Sequence, residues 1–474
     1  MNKTGTTILS FILIAIATSC IFLSSCSEKN KEGMIILTRS KVKSNSLYID
    51  NSDLWRYISQ AQIVELTSSK SEASEKILTG DFYSARSPHI SYDENYLLFA
   101  AQQKQNDPWQ IWEMDLNNLK SRQITSSNEN CTDPAYLPLG RLLFSKYSAN
   151  DTLKAGHSLY ICNIDGSNVK RITFNPDTYL ASNALNDGRI LTIGRQVFPA
   201  QGAPMYMVLR PDGTKSDLFY KGAEGSNLYS PGLETNTGKI VFIESDKSNP
   251  EEGNLISINY NRPLHSRVNL SKEIKGDFRS VFPQRNGRFL VSYRKSESER
   301  YSIYEFNPEK KELGKAIYSN KDYDVIEMVV TGKHERPKKL PSEIDTGVKT
   351  GLLLCQDIRI SDKQTPASLS TSSRIKIVGI DSTLGYVDVA EDGSFYLKVM
   401  ADRPFQIQTV DKDGNVYGTC GWIWLRPNER RGCIGCHEDP EIVPGNKVPL
   451  AVKKSPVIIP MHINKVVEKK VTLE

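Results

Sequence analysis

A unit of four short apolar runs recurs about every 50 residues between residues 82 and 320, and no other feature constrains the fold so tightly. One copy reads Gly140-Arg-Leu-Leu-Phe-Ser-Lys, then Ser158-Leu-Tyr-Ile-Cys-Asn-Ile-Asp-Gly, then Lys170-Arg-Ile-Thr. The same order occurs upstream at Tyr96-Leu-Leu-Phe-Ala-Ala, Gln110-Ile-Trp-Glu-Met-Asp-Leu and Arg122-Gln-Ile-Thr. It recurs downstream from Gly188, Gly238 and Gly287, and Pro88, Pro134, Pro231 and Pro283 each open a copy. Alternating apolar runs joined by Asp-Gly or Asn-Gly are antiparallel strands in hairpins, because those dipeptides accept the positive φ of a tight turn. A four-strand unit cannot bury its apolar face alone; stacking the copies in a ring does so, and the result is a β-propeller.

The order Pro, Gly-Arg before an apolar run, apolar-Tyr and Arg-Ile-Thr resembles the TolB-type propeller repeat. Five copies are directly visible, and a sixth assembles from both ends. Met34-Ile-Ile-Leu-Thr, Ser46-Leu-Tyr-Ile-Asp and Ile63-Val-Glu-Leu-Thr supply its second, third and fourth strands, and Val325-Ile-Glu-Met-Val-Val its first. A blade shared by the two ends ties the ring shut and hides its edges. The polar stretch from Ser68 to Lys76 reads as a solvated loop. His89, His157 and His265 lie in separate copies, without paired carboxylates, so the propeller reads as a platform for a ligand or partner.

Compartment follows from the first residues. Lys3 precedes an apolar run from Ile8 to Leu23, which meets Ser24-Ser25-Cys26; a basic start, a short apolar core and small residues make an export signal. Ending on Cys, it resembles a bacterial lipobox, which implies diacylglyceryl attachment at Cys26. Ser27 is not the Asp of inner-membrane retention, so the expectation is an outer-membrane lipoprotein facing the periplasm, held to the membrane by its lipid. The net charge of +5 carries no dense basic stripe, which removes nucleic acid from the expected partners. Cys131 and Cys162 are either a disulfide of an exported protein or two buried strand residues.

A Pro- and Lys-rich connector, His334 to Pro341, opens a second region of alternating runs: Gly351-Leu-Leu-Leu-Cys, Arg374-Ile-Lys-Ile-Val, Gly385-Tyr-Val-Asp-Val, Ser394-Phe-Tyr-Leu-Lys-Val and Phe405-Gln-Ile-Gln-Thr-Val. The fold class is therefore all-β: a six-bladed propeller followed by a small antiparallel sandwich-like domain. Expected boundaries are 1–25 signal, 26–33 tether, 34–332 propeller, 333–349 linker, 350–443 β domain and 444–474 basic tail.

Near the end of that domain stands Gly432-Cys433-Ile-Gly-Cys436-His437. Cys-x-x-Cys-His is the attachment motif of haem c: two closely spaced thiols add to the two vinyl groups and the adjacent His reaches the iron. Composition alone predicts about 0.002 occurrences of it in this chain, so chance is a poor explanation. The competing reading is zinc, held by Cys433, Cys436 and His437 with Cys420 or Cys355. A thioredoxin-like redox pair lacks its βαβ setting. Arg426, Arg430 and Arg431 are candidates to pair with propionates, since planar guanidinium suits carboxylate. Trp422 and Trp424 fit either the porphyrin face or a protein core. His334, Met461 and His462 are the candidates for a distal ligand.

Leu354-Cys-Gln-Asp, Val389-Ala-Glu-Asp-Gly-Ser-Phe-Tyr-Leu-Lys-Val-Met-Ala-Asp-Arg-Pro and Trp424-Leu-Arg-Pro-Asn-Glu-Arg-Arg-Gly-Cys-Ile-Gly-Cys-His-Glu resemble the hydrazine synthase alpha-subunit-like family. The resemblance implies a propeller, a middle β domain with one haem and, in many members, a further domain with a second haem; no second motif follows here. In the family's hydrazine-forming enzyme a Tyr four residues after the motif His binds iron and the His holds zinc. Glu441 occupies that position here, a departure from the family's tyrosinate ligation, so one expectation is His437 as an ordinary axial ligand; zinc on His437 with Cys355 is the resemblance's other implication. The expected function is a one-haem, cytochrome-like lipoprotein that transfers electrons or serves an envelope oxidoreductase complex with a protein or redox partner. The alternative is a non-catalytic propeller scaffold with structural haem or zinc at the motif.

Overall fold

The computed structural model describes residues 32–42, 57–68, 73–149, 155–228, 230–246, 249–332, 334–360, 372–435, 439, 441, 443 and 445–460. Between Ile35 and Val330 the described strands form six four-stranded antiparallel sheets, one per blade. Each begins with a strand on the central channel: Asp324–Val330, Ser84–Ile90, Cys131–Leu137, Asp177–Ala184, Leu233–Glu234 and Asp277–Pro283. A channel strand is an edge of its sheet, so Pro88, Pro134 and Pro283 fit there without removing a ladder bond. Bulges interrupt five of these strands at equivalent places, and Ser87, Asp133 and Ala181 adopt positive φ of 56, 52 and 53°. The bulges turn backbone N–H groups onto neighbouring blades: Ser87 N–H donates to Glu327 (2.6 Å) and Ala181 N–H to Asp133 (2.7 Å).

Blade-to-blade cores are apolar. Leu98, Ile111, Cys131, Tyr136, Phe144 and Cys162, for example, form one buried cluster across two blades. Cys131 and Cys162 both carry free thiols there, which resolves the alternative in favour of buried strand residues. Burial pushes the Cys131 thiol up to about 11 and the Cys162 thiol up to about 12.

The ring closes as its two ends require: Ile35–Ser40 pairs with Asp324–Val330 on one side and with Gln62–Ser68 on the other. The outer half of this blade differs from the expectation. Gln62–Ser68 is its third strand, and Ala73–Ile77, which overlaps the stretch read as a loop, is its fourth. The outermost strand of a blade faces water, so charge at Glu75 and Lys76 is no obstacle; Glu75 in turn accepts from Asn320 (2.9 Å) and pairs with Arg39. The run Ser46 to Asp50 lies outside the described residues.

The second domain is a sandwich. One sheet runs Arg430–Cys433, Thr350–Cys355, Phe395–Met400, Val457–Ile459; the other runs Thr383–Asp388, Arg374–Val378, Gln406–Val410, Val416–Thr419. Leu353, Ile375, Ile377, Leu397, Phe405 and Ile407 from both sheets fill the space between them. The domain runs past residue 443. Val457–Ile459 adds a parallel edge strand beside Phe395–Met400 and buries Ile459, so part of the expected tail belongs to the core.

Candidate functional site

The motif begins at the end of an edge strand. Arg430–Cys433 runs parallel to Thr350–Cys355, with Leu353 opposite Arg431 and Cys355 opposite Cys433. Opposed residues of adjacent strands share a face, so the Cys433 thiol lies on the core side with buried Cys355, while Arg430 and Gly432 are exposed. Backbone bonds hold this register on both sides: Leu352 N–H donates to Glu429 O (2.8 Å), Gln356 N–H to Cys433 O (3.0 Å) and Asp357 N–H to Ile434 O (3.1 Å). Gly435 has a steric reason: a Cβ there would lie 2.3 Å from the Ile360 carbonyl oxygen. Cys436 and His437 lie outside the described residues, as do Cys26, Met461 and His462.

Just before the strand, Glu429 is almost fully buried and faces the propeller. Its Oε1 accepts from the Lys215 N–H (2.9 Å) and from Arg431 Nη2 (2.7 Å), and its Oε2 from the Arg426 N–H (2.8 Å). Lys215 Nζ also donates to the Arg430 carbonyl. A carboxylate with three such donors offsets the desolvation that burial costs it. Arg426, expected to meet a propionate, is committed elsewhere. It donates to Asp402 (2.7 Å) and to the Asp212 carbonyl (3.0 Å), and lies over the Phe174 ring at 4.5 Å. Burial pushes the Asp402 carboxyl above its ordinary value in spite of Arg426. Gly213, at φ +83°, lies beside this contact, and a Cβ there would lie 2.2 Å from the Ile172 carbonyl oxygen and 3.3 Å from Arg426 Cδ. Arg431 is likewise taken by Glu429, which leaves exposed Arg430 as the remaining propionate candidate.

The tryptophans serve the domain interface. Trp424 is buried among Leu137, Leu159, Ile172, Tyr179 and Leu209 of two blades. Trp422 donates to the Phe198 carbonyl (2.7 Å) and stacks on its ring. Beyond the motif the chain again meets the propeller. Glu441 accepts from the Leu264 N–H (2.6 Å) and pairs with Arg262 at 3.4 Å, and Asp439 pairs with His265. Burial works to raise the Asp439 carboxyl, but the Glu441 N–H and His265 outweigh it and hold it below its usual range. Glu429 and Asp439 escaped the sequence reading, and Glu441 entered it only as the residue at the family's Tyr position, because nothing in their spacing announces a partner about 170 or more residues away.

His334 sits in the central channel with His89, on a cavity of about 260 Å³ that the connector caps. Burial lowers both imidazoles, His89 to about 4. Among the described residues no three His, Cys, Asp or Glu side chains converge as metal ligands. The donor set at the motif fits a covalently held haem: Cys433 is half-buried at a strand end with exposed Arg430 on the same strand, and a second thiol and an imidazole follow in the sequence.

Fold and site together define a class: a six-bladed propeller joined to a β sandwich in which an edge strand ends at Cys433, the first residue of the Cys-x-x-Cys-His motif. Residues 321–438 match the family described as the hydrazine synthase alpha subunit middle domain. Hydrazine synthase subunit alpha of Kuenenia stuttgartiensis is 24% identical, over 76% of this chain and 61% of the relative. The solved hydrazine synthase of the same organism superposes with a TM-score of 0.77 at 20% identity, over 89% of this chain and 71% of that chain; the likeness is one of fold. TolB from Acinetobacter baumannii is a more distant neighbour, at a TM-score of 0.43 and 14% identity over 62% of this chain and 67% of that chain. The chain is hydrazine synthase alpha-like, and it spans about 61% of the length of that curated relative.

Proposed function

We propose that this protein is an exported outer-membrane lipoprotein, anchored at Cys26 and facing the periplasm, with one haem attached covalently at Cys433 and Cys436. In this reading it transfers electrons, or serves as the haem-bearing subunit of an envelope oxidoreductase, together with a protein partner. The motif carries the proposal, because it lies within the matched middle domain and its first thiol is delivered on a strand held by backbone bonds. The relative's name as a subunit supports the partner. Haem bound there supplies one-electron exchange. The chain's own contribution is position: Glu429 holds one side of the motif to the propeller and Glu441 the other. His437 is the proposed axial ligand, since Glu441 is engaged by Leu264 and Arg262.

An absorption spectrum of the exported protein tests this. A c-type α-band should appear on dithionite reduction, survive acid-acetone extraction, and vanish in Cys433→Ser/Cys436→Ser. Bound zinc with no haem would instead establish the structural-metal alternative. Cys26→Ala should leave the membrane fraction; its retention there would refute lipid anchoring.

A further inference from the structure

Cys355 and Cys433 are opposed residues of adjacent parallel strands, and both contribute to the same apolar core beside Leu353, Phe395 and Leu425. Neighbouring strands lie about 4.8 Å apart, inside the Cα separation of about 4.4–6.8 Å that a disulfide accepts. The register cannot slip easily, because Leu352 N–H and Gln356 N–H bond the partner strand on either side of the pair. We propose that these two cysteines form a cross-strand disulfide whenever the motif carries no haem, and that this bond withholds Cys433 from haem attachment.

Exposure sets the order of events. Cys355 is 1% exposed, whereas Cys433 is half-buried on an edge strand. The Cys433 thiolate attacks an external disulfide R–S–S–R, forms Cys433–S–S–R and releases one R–SH. The Cys355 thiol then attacks the Cys433 sulfur, loses its proton and expels the second R–SH. Two protein thiols are oxidised and one external disulfide is reduced, so atoms and electrons balance. A sulfur so engaged cannot add to a vinyl group, and a reductant must reopen the bond before attachment. The bond itself does not depend on the function proposed above; only its consequence for haem does.

The test uses the full chain, made without haem-attachment machinery and treated with oxidised glutathione. In a Cys436→Ser background, alkylation, tryptic digestion and mass spectrometry should recover peptide 350–359 joined to peptide 432–447, about 2 Da below the sum of the two thiol forms. The pair should disappear in Cys355→Ser and, independently, in Cys433→Ser. Recovery of both thiols alkylated, or of Cys433 joined to Cys420, whose sulfur accepts from Ile407 N–H in the same core, would overturn the proposal. When attachment machinery is supplied under oxidising conditions, Cys355→Ser and Cys355→Ala should both carry more covalent haem per chain than the unaltered protein. Less haem in both would overturn the withholding role. Absence of haem from every version would overturn that role and the proposed function, while the mapped bond stands or falls on the peptides alone.

Discussion

Single residues carry this structure's less visible commitments. Asp177 opens a channel strand beside Asn175, which donates to it at 2.7 Å, and burial pushes its carboxyl up to about 7. A carboxyl raised in the folded state adds stability that is full below the unfolded pKa of about 4 and is lost as pH rises through 7. Asp177→Asn should therefore be the more stable protein at pH 8, by roughly 4 kcal/mol at most, with the gap closing towards pH 4. Denaturant midpoints of the two proteins across that range measure it. Trp424→Ala should cost about 3–5 kcal/mol, because it empties a fully enclosed site between two blades. Fluorescence-monitored urea unfolding would show the loss. The sequence left Trp424 between porphyrin and protein core; its neighbours lie more than 200 positions away, and no local pattern encodes them.

At the scale of elements, alternation made most strands legible. Gly140-Arg-Leu-Leu-Phe and Gly351-Leu-Leu-Leu-Cys bury every second side chain or nearly every one, as strands inside a packed sheet must. Ala73–Ile77 and Val457–Ile459 were missed for one reason: both are edge strands, and partners rather than composition make them strands. Ending the chain after Lys454 should remove the parallel ladder to Phe395–Met400 and expose the site of Ile459. The expected loss is about 1.5–3 kcal/mol from that side chain, read as a lower thermal midpoint. An unchanged midpoint would mean that the strand adds nothing to the sandwich.

The whole molecule is tied at two places. Ile35–Ser40 closes the propeller by pairing with a strand about 290 residues away, and Glu429, Arg426 and Trp424 bind the sandwich to the ring. A chain lacking residues 26–42 would leave Asp324–Val330 and Gln62–Ser68 without their shared partner, with buried Leu37 gone from the core. Open strand edges template aggregation, so this version should elute as aggregate in size exclusion and lose its near-UV circular dichroism. A monomeric, native-like species would show that closure is dispensable.

Local chemistry was enough to determine the repeat, the shared blade and the Cys-x-x-Cys-His motif, because alternation, turn residues and covalent attachment each act over a few positions. Tertiary structure alone decided that Arg426 binds the propeller, that Glu429 and Glu441 hold the chain on both sides of the motif, and that Cys355 lies opposite Cys433. Those pairings join residues about 80 to 215 positions apart. Only the folded chain brings such groups within bonding distance, and burial then makes an unpartnered charge too costly to leave.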